Sequence, residues 1–140
     1  MFILDTDHLT IIQRQSEPAF SRLSARLHEI PAKDVLTTII SFEEQMRGWL
    51  AVINRLRKAQ DEIDIYQRLH RLLAFFSEIP VLDFDGAAAE RFTQLRKSGV
   101  RIGAMDLKIA AIALSHKATL LSCNLVDFRK VPGLPVEDWT

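Results

Sequence analysis

The sequence contains a single cysteine, Cys123, and only five prolines and five glycines among its 140 residues. With one cysteine no intrachain disulfide can form, which favours a reducing compartment. No apolar run approaches the roughly 20 residues that a membrane-spanning helix needs. The N-terminus also lacks the basic start, apolar stretch and small-residue cleavage site of a signal peptide. These absences predict a cytoplasmic protein.

An excess of either charge is also absent, because 18 basic residues balance 18 acidic ones. Binding to nucleic acid would therefore depend on local basic patches rather than on net charge. One such patch, formed by Arg96, Lys97 and Arg101, lies close in sequence to Asp106 and could contact a phosphate backbone.

Several common catalytic motifs are missing as well. The chain has no GxGxxG, GxxxxGK[ST] or GxSxG, which argues against a nucleotide cofactor, a P-loop and a serine hydrolase. The four histidines have no zinc-ligand spacing with one another or with Cys123. We expect most histidines to lie on the surface or on helices, and Cys123 to be a buried structural thiol.

The apolar content, 48% of the chain, is sufficient for one compact domain spanning residues 1–140. Short apolar or β-branched runs predict four strands and a possible edge strand, at 1–4, 35–40, 80–84, 119–122 and 136–139. Apolar residues at helical spacing predict helices at 6–15, 18–29, 85–98 and 104–114, and a helical hairpin within 41–77. This alternation predicts a three-layer α/β fold, in which a mostly parallel sheet of four to five strands has helices on both faces.

Four acidic residues have informative positions: Asp5, Glu44, Asp106 and Asp127. Asp5, Glu44 and Asp127 come at or just after the end of a predicted strand, whereas Asp106 opens an apolar helix. The carboxyl ends of parallel strands meet in one crevice, so these acids are expected to converge. Several carboxylates without obvious counter-cations suit a hard divalent metal. The pattern therefore predicts metal-dependent phosphodiester chemistry.

Each acid also has a plainer interpretation. Asp5 could simply cap the helix that follows, although Asp7 could provide that cap instead. Asp127 could be a surface residue beside a turn capped by Asn124. Asp106 could stabilise its helix by interacting with the helix dipole. Burying an unpaired carboxylate, however, costs more free energy than that interaction contributes. A metal ligand is therefore the stronger interpretation for Asp106.

Helical periodicity leaves the choice between Glu43 and Glu44 open. At 100° per residue, Glu44 falls about 200° from Phe42 and away from the apolar stripe, while Glu43 lies at its margin. Glu44 would then be solvated, unless the first turn of the helix stands above the sheet and faces the crevice.

With these residues located, the chain resembles PIN-domain nucleases, and specifically the VapC-type toxins of bacterial toxin–antitoxin modules. The resemblance covers nearly the whole chain and depends on the segments ILDTDHL, ISFEEQMRG, GAMDLKIAAIA and LLSCNLVDFRKVPGLPVEDW. In this family the helix glutamate precedes a glycine by four residues, which selects Glu44 by its spacing from Gly48. The resemblance places the other catalytic acids at Asp5, Asp106 and Asp127.

The resemblance implies an endoribonuclease that depends on Mg²⁺ or Mn²⁺, forms homodimers and is inhibited by a cognate antitoxin; some relatives cut transfer RNA. Asp5 and Asp106 would bind the metal directly, with Glu44 and Asp127 completing the site. Thr6, Ser122 and Asn124 would support them. Two positions depart from the family pattern: Asp7 replaces the usual Asn or Ser, and Ser122 replaces a common Thr.

Two other functions remain open on the sequence: a metal nuclease acting on DNA or flap structures, and a catalytically silent binding module. The helical hairpin also carries more aromatic residues than a small core easily absorbs. We therefore expect part of it to form a protein interface anchored by Trp49, Tyr66, Phe75 and Phe76.

Overall fold

The computed structural model describes all 140 residues and contains a five-stranded, fully parallel sheet in the order β3-β2-β1-β4-β5. The strands are β1 (Phe2–Leu4), β2 (Val35–Thr38), β3 (Val81–Leu82), β4 (Thr119–Leu121) and β5 (Val136–Glu137). The helices are α1 (Thr6–Arg14), α2 (Ala19–His28), α3 (Ile39–Arg55), α4 (Ala59–Glu78), α5 (Gly86–Lys97), α6 (Ala104–Ser115) and α7 (Leu125–Phe128). None of the helices has the length and apolar character needed to cross a bilayer.

The sheet has a hydrophobic core on each face, as expected from the alternating side-chain directions of its strands. Ile3 and Leu120 pack into a large core with residues of α5 and α6. The adjacent Leu4 and Leu121 point the other way and pack with residues of α1, α2 and α4. The predicted three-layer α/β architecture is thus confirmed.

Helix α6 is the most deeply buried helix, which confirms the expectation from its apolar sequence. Leu107 and every residue from 109 to 113 are buried. This burial fixes the start of α6, and hence Asp106, against the sheet.

The predicted strand at 35–40 is too long by two residues. The strand ends at Thr38, because the Thr38 hydroxyl accepts a hydrogen bond from the Ser41 amide at 3.2 Å and caps α3. Ile39 and Ile40 therefore begin the helix despite their β-branched side chains, and Ile40 is buried in the larger core. Helix α3 thus begins two residues before the predicted start of the hairpin at 41.

The aromatic residues of the α3–α4 hairpin are less exposed than expected. Phe75 and Phe76 pack against the smaller core, and Phe42 contacts Phe76 edge to face. Only Tyr66 is largely exposed, at 55%. The exposed apolar residues of this hairpin are Leu50, Ile63, Tyr66 and Leu73, so any interface here would depend more on aliphatic side chains than the sequence suggested.

The position of β1 determines where a site can form. The chain passes from β1 to β2 on one side, and the later strand β4 pairs with the other side. Such a reversal in strand order leaves a crevice at the carboxyl ends of the two central strands, β1 and β4.

Candidate functional site

Asp5 lies at the carboxyl end of β1 and is 5% exposed. One carboxylate oxygen accepts the Thr6 amide at 2.8 Å, which caps α1, and the other accepts the Ser122 hydroxyl at 2.7 Å. Burial, followed by repulsion from Asp7, raises the pKa of Asp5 to about 7. Asp5 can therefore cap α1 with one oxygen and contribute to the site with the other.

Asp106 lies in the first turn of α6, where one of its carboxylate oxygens accepts a hydrogen bond from the side-chain Nδ2 of Asn124 at 3.3 Å. Burial raises the pKa of Asp106, and repulsion from Asp127 raises it further. No lysine, arginine or histidine forms an ion pair with Asp106 or with Asp5.

Glu44 faces the crevice from the first turns of α3. The family resemblance selected this residue, whereas helical periodicity alone left the choice between Glu43 and Glu44 open. Burial raises the pKa of Glu44, with a further contribution from Asp106. Its Oε1 atom and the Thr6 hydroxyl are both buried and have no other partner, and the contact between the two partly offsets the rise in the pKa of Glu44. Glu43 instead points outward and pairs with Arg47 at 2.6 Å.

Asp127 lies at the rim of the same cluster, on the short helix α7. The Asn124 side-chain nitrogen contacts Asp127 at 3.1 Å as well as Asp106, and so bridges the two acids. Lys130 pairs with Asp127 at 3.2 Å. Hydrogen bonds from Asn124 and Lys130 lower the pKa of Asp127. Asp127 is thus a charged rim residue, whereas Asp5, Glu44 and Asp106 form the less solvated centre.

Asp7, one of the two residues that depart from the family pattern, is held by hydrogen bonds at both oxygens. Oδ1 accepts from the His8 amide at 2.6 Å and from His8 Nδ1 at 2.8 Å, and Oδ2 accepts from the Cys123 amide at 2.9 Å. Burial opposes its charge, but the hydrogen bonds from His8 and Cys123 outweigh burial and lower the pKa of Asp7. The extra negative charge therefore has its own donors beside the crevice.

His8 extends this network to Trp139. It lies on α1, as expected of a histidine on the surface or on a helix, but it is buried rather than exposed. Its ring is completely buried, and Nε2 accepts the Trp139 amide at 3.3 Å. That contact leaves the proton on Nδ1, where it is donated to Asp7. The sequence signal that was missed is the position of His8 in the first turn of α1, one residue after Asp7 and against the sheet.

Cys123 is exposed, so its prediction as a buried thiol was wrong. It follows β4 in a turn, with Sγ 3.8 Å from His8 Nδ1 and 3.9 Å from Asp138. Desolvation and the charge of Asp7 raise the pKa of the Cys123 thiol to about 11. Asp7, His8 and Cys123 lie close enough together to share a metal ion, a proximity that their separation in sequence concealed.

Replacing Asp7 by Asn is expected to lower the free energy of unfolding by about 2 kcal/mol, because an amide cannot accept from both the His8 ring and the Cys123 amide. Loss of repulsion toward Asp5 acts in the opposite direction, but the lowered pKa of Asp7 shows that its charge is stabilised overall. Urea unfolding in a chelator measures the change. Asp64→Asn, which removes an exposed pair with Arg68, is the matched control and should cost under about 0.5 kcal/mol. A more stable Asp7→Asn protein would contradict the prediction.

The residues of the crevice fit a hard divalent cation. Mg²⁺ and Mn²⁺ prefer oxygen ligands, and three carboxylates with raised pKa values converge without a cationic partner. The Glu44 oxygen and the Thr6 hydroxyl, which are buried with no polar partner except each other, are the atoms that such an ion or its bound water would satisfy.

Comparisons with known proteins agree with this geometry. The family model of the PIN domain matches residues 2–134. The chain is 34% identical over 77 residues to the ribonuclease VapC2 of Rickettsia felis, covering 52% of this chain and 58% of the relative. It is 36% identical over 69 residues to the tRNA(fMet)-specific endonuclease VapC of Salmonella typhimurium, covering 46% of this chain and 52% of the relative. The matched segment therefore spans little more than half of each relative.

Solved structures match over more of the chain. A DNA-bound VapBC from Salmonella typhimurium aligns with a TM-score of 0.76 at 24% identity, covering 99% of this chain and 98% of that one. A promoter-bound VapBC2 from Rickettsia felis gives a TM-score of 0.74 at 22% identity, with the same coverage. These likenesses show a shared fold.

Proposed function

This chain belongs to the PIN-domain family, and from that premise we propose that it is a metal-dependent endoribonuclease and the toxin of a type II toxin–antitoxin pair. The observation that carries the proposal is the convergence of Asp5, Glu44 and Asp106 from three separate segments without a cationic partner. A purely structural arrangement would pair or neutralise such carboxylates.

In the proposed mechanism Asp5 and Asp106 would hold the cation directly, and Glu44 and Asp127 would complete its shell through water or bind a second metal ion. A Mg²⁺ or Mn²⁺ ion held there would supply an activated water and offset charge on the scissile phosphate. Ser122 fixes the orientation of Asp5 through its 2.7 Å hydrogen bond.

Asn124 has a similar positioning role for the other acids. Its side-chain nitrogen contacts both Asp106 and Asp127, so one amide sets the spacing of two carboxylates. Lys130 holds Asp127 at the rim, where a charged carboxylate can accept a proton or orient a water.

The proposed partners follow from the relatives. Since solved neighbours are toxin–antitoxin complexes, we propose a cognate antitoxin for this chain, together with a homodimer or a toxin–antitoxin hetero-oligomer in the cytoplasm. Leu50, Ile63, Tyr66 and Leu73 are the exposed apolar residues of the α3–α4 hairpin that could anchor such contacts. Transfer RNA is the first substrate to test, because one relative is named for it.

The test is incubation of the purified chain with total RNA and with transfer RNA in Mn²⁺ or Mg²⁺. We expect discrete RNA fragments that disappear when EDTA is present. Single-stranded DNA and flap DNA are the matched control substrates. Cleavage of DNA but not of RNA would show that the protein is a deoxyribonuclease instead. Absence of cleavage together with no Mn²⁺ binding by calorimetry would indicate a silent PIN-fold module instead.

A further inference from the structure

Beside the carboxylate cluster, a cleft runs between α1 and α3 that the proposed chemistry does not use. Its walls are formed by α1 and α3, and its lining includes Thr10 and Gln45. Thr10 lies one helical turn after Thr6, and Gln45 directly follows Glu44, so the cleft lies beside the candidate site. From Thr6 to Arg14, α1 spans about 12 Å at 1.5 Å per residue.

The outer end of the cleft is basic and aromatic. Two adjoining cavities of about 300 and 280 Å³ share Gln13, Arg14 and Trp49, and the second is also lined by Arg68 and Arg71. No acidic residue lines either cavity. The Arg68 guanidinium lies 5.1 Å from the Trp49 ring centre, while Arg14 and Arg71 form no ion pair.

Gly48 provides an independent observation about this cleft. It lies in the interior of α3, where glycine costs about 1 kcal/mol relative to alanine. No atom lies within 4 Å of the position that a β-carbon would take, so packing does not require a glycine there. Gly48 lines the cleft. A side chain at position 48 would therefore reduce the open space of the cleft.

We propose that the α1–α3 cleft binds an unpaired nucleotide segment of the RNA substrate, with a base stacked on Trp49 and phosphates held by Arg14, Arg68 and Arg71. Aromatic stacking combined with arginines is the usual chemistry of single-stranded nucleic-acid sites. Of the three arginines only Arg68 has an acidic partner, Asp64, in an exposed pair. The cavities are small for a duplex but suit one or two bases. The inference rests on the proposed RNA cleavage and adds how the substrate is held.

The side-chain amides of Gln13 and Gln45 add a polar wall to the same cleft. Each donates to the other, at 3.0 and 2.9 Å, and together they cross-link α1 to α3. An amide offers both donors and acceptors, so this exposed pair can exchange its mutual bonds for the edge of a base. This would place the recognised base between the arginines and the carboxylates.

The test is binding of a fluorescein-labelled, mixed-sequence 12-nucleotide RNA, measured by anisotropy in EDTA so that the carboxylate site neither cleaves nor contributes. Gly48→Leu should fold at least as stably as the wild type, because a β-carbon at position 48 meets no atom within 4 Å and leucine favours a helix. It should bind RNA about tenfold more weakly or worse, because its side chain would occupy the cleft. Trp49→Leu should weaken binding at least about fivefold, and Trp49→Phe should restore most of it. Arg14→Ala and Arg71→Ala should each reduce the slope of log affinity against log salt by about 0.7.

Matched controls carry the same chemical changes elsewhere. Gly86→Leu also enters open space, on α5, and Arg91→Ala removes an exposed arginine near the far end of α6; both should bind RNA as the wild type does. Unchanged RNA affinity in Gly48→Leu and Trp49→Leu overturns the inference even if the wild type cleaves RNA. Variants that bind RNA normally and lose only their binding to a purified antitoxin would also overturn the inference. Conversely, weakened binding in these variants supports the cleft even if the wild type cleaves nothing.

Discussion

Asp106→Asn is expected to lower RNA cleavage by about a thousandfold or more while leaving the protein folded. A directly bound cation contributes several kcal/mol to a phosphoryl-transfer step, which corresponds to that factor in rate, and an amide is a much weaker ligand than a carboxylate. The fold should tolerate the change, because Asp106 is repelled by Asp127 and Asp7 and has no cationic partner. Initial rates on RNA with Mn²⁺ measure the loss.

Two further measurements separate loss of the cation from loss of the fold. Calorimetry should show weaker Mn²⁺ binding to Asp106→Asn, and urea unfolding in EDTA should show equal or greater stability. Asp61→Asn, which changes an exposed aspartate on α4 that forms no ion pair, should keep wild-type activity. Asp106→Asn protein that still cleaves RNA at the wild-type rate would remove Asp106 from the mechanism.

The cation-free protein is expected to lose stability as the pH rises from about 4 to about 7. Asp5 binds a proton in the folded state up to a pKa of about 7 but only up to about 3.8 when unfolded. Within that window the folded state holds the additional proton, so raising the pH favours unfolding, by about 4 kcal/mol in total. The raised pKa values of Glu44 and Asp106 act in the same direction.

Asp7 does not cancel this trend. Its lowered pKa contributes stability that is lost only when the pH falls below about 4, outside the window. Urea midpoints between pH 4.5 and 7.5 in EDTA measure the effect, and Asp5→Asn should flatten the curve. Saturating Mn²⁺ should restore the stability lost at pH 7.5, because it favours the charged carboxylates. A stability that rises through this pH range without metal would show that Asp5 is ionised in the folded state.

The fold was readable from the sequence because its strands and buried helix have unambiguous patterns. Helix α6 is almost uniformly apolar, and the two central strands are short apolar runs followed by polar residues. The error at 35–40 has a local cause: β-branched propensity favours a strand through Ile40, but a single hydroxyl cap at Thr38 starts the helix two residues earlier.

The site was less accessible than the fold. Local pattern identified Asp5 and Asp106, but it left Glu43 and Glu44 unresolved, and only family spacing selected the residue that faces the crevice. The burial of His8 and the exposure of Cys123 could not be read at all, because both depend on a contact between α1 and the turn after β4, more than a hundred residues away along the chain. The roles of the four acids in catalysis remain predictions.

The central place of β1 has a consequence for synthesis of the protein. Asp5 is made before its partner Ser122, which lies 117 positions later, and Asn124, which orients Asp106, comes later still. A chain emerging from the ribosome therefore cannot assemble the crevice until the turn after β4 has been made. If the protein cleaves RNA, the translation machinery that makes it is exposed to that activity only after this turn has emerged.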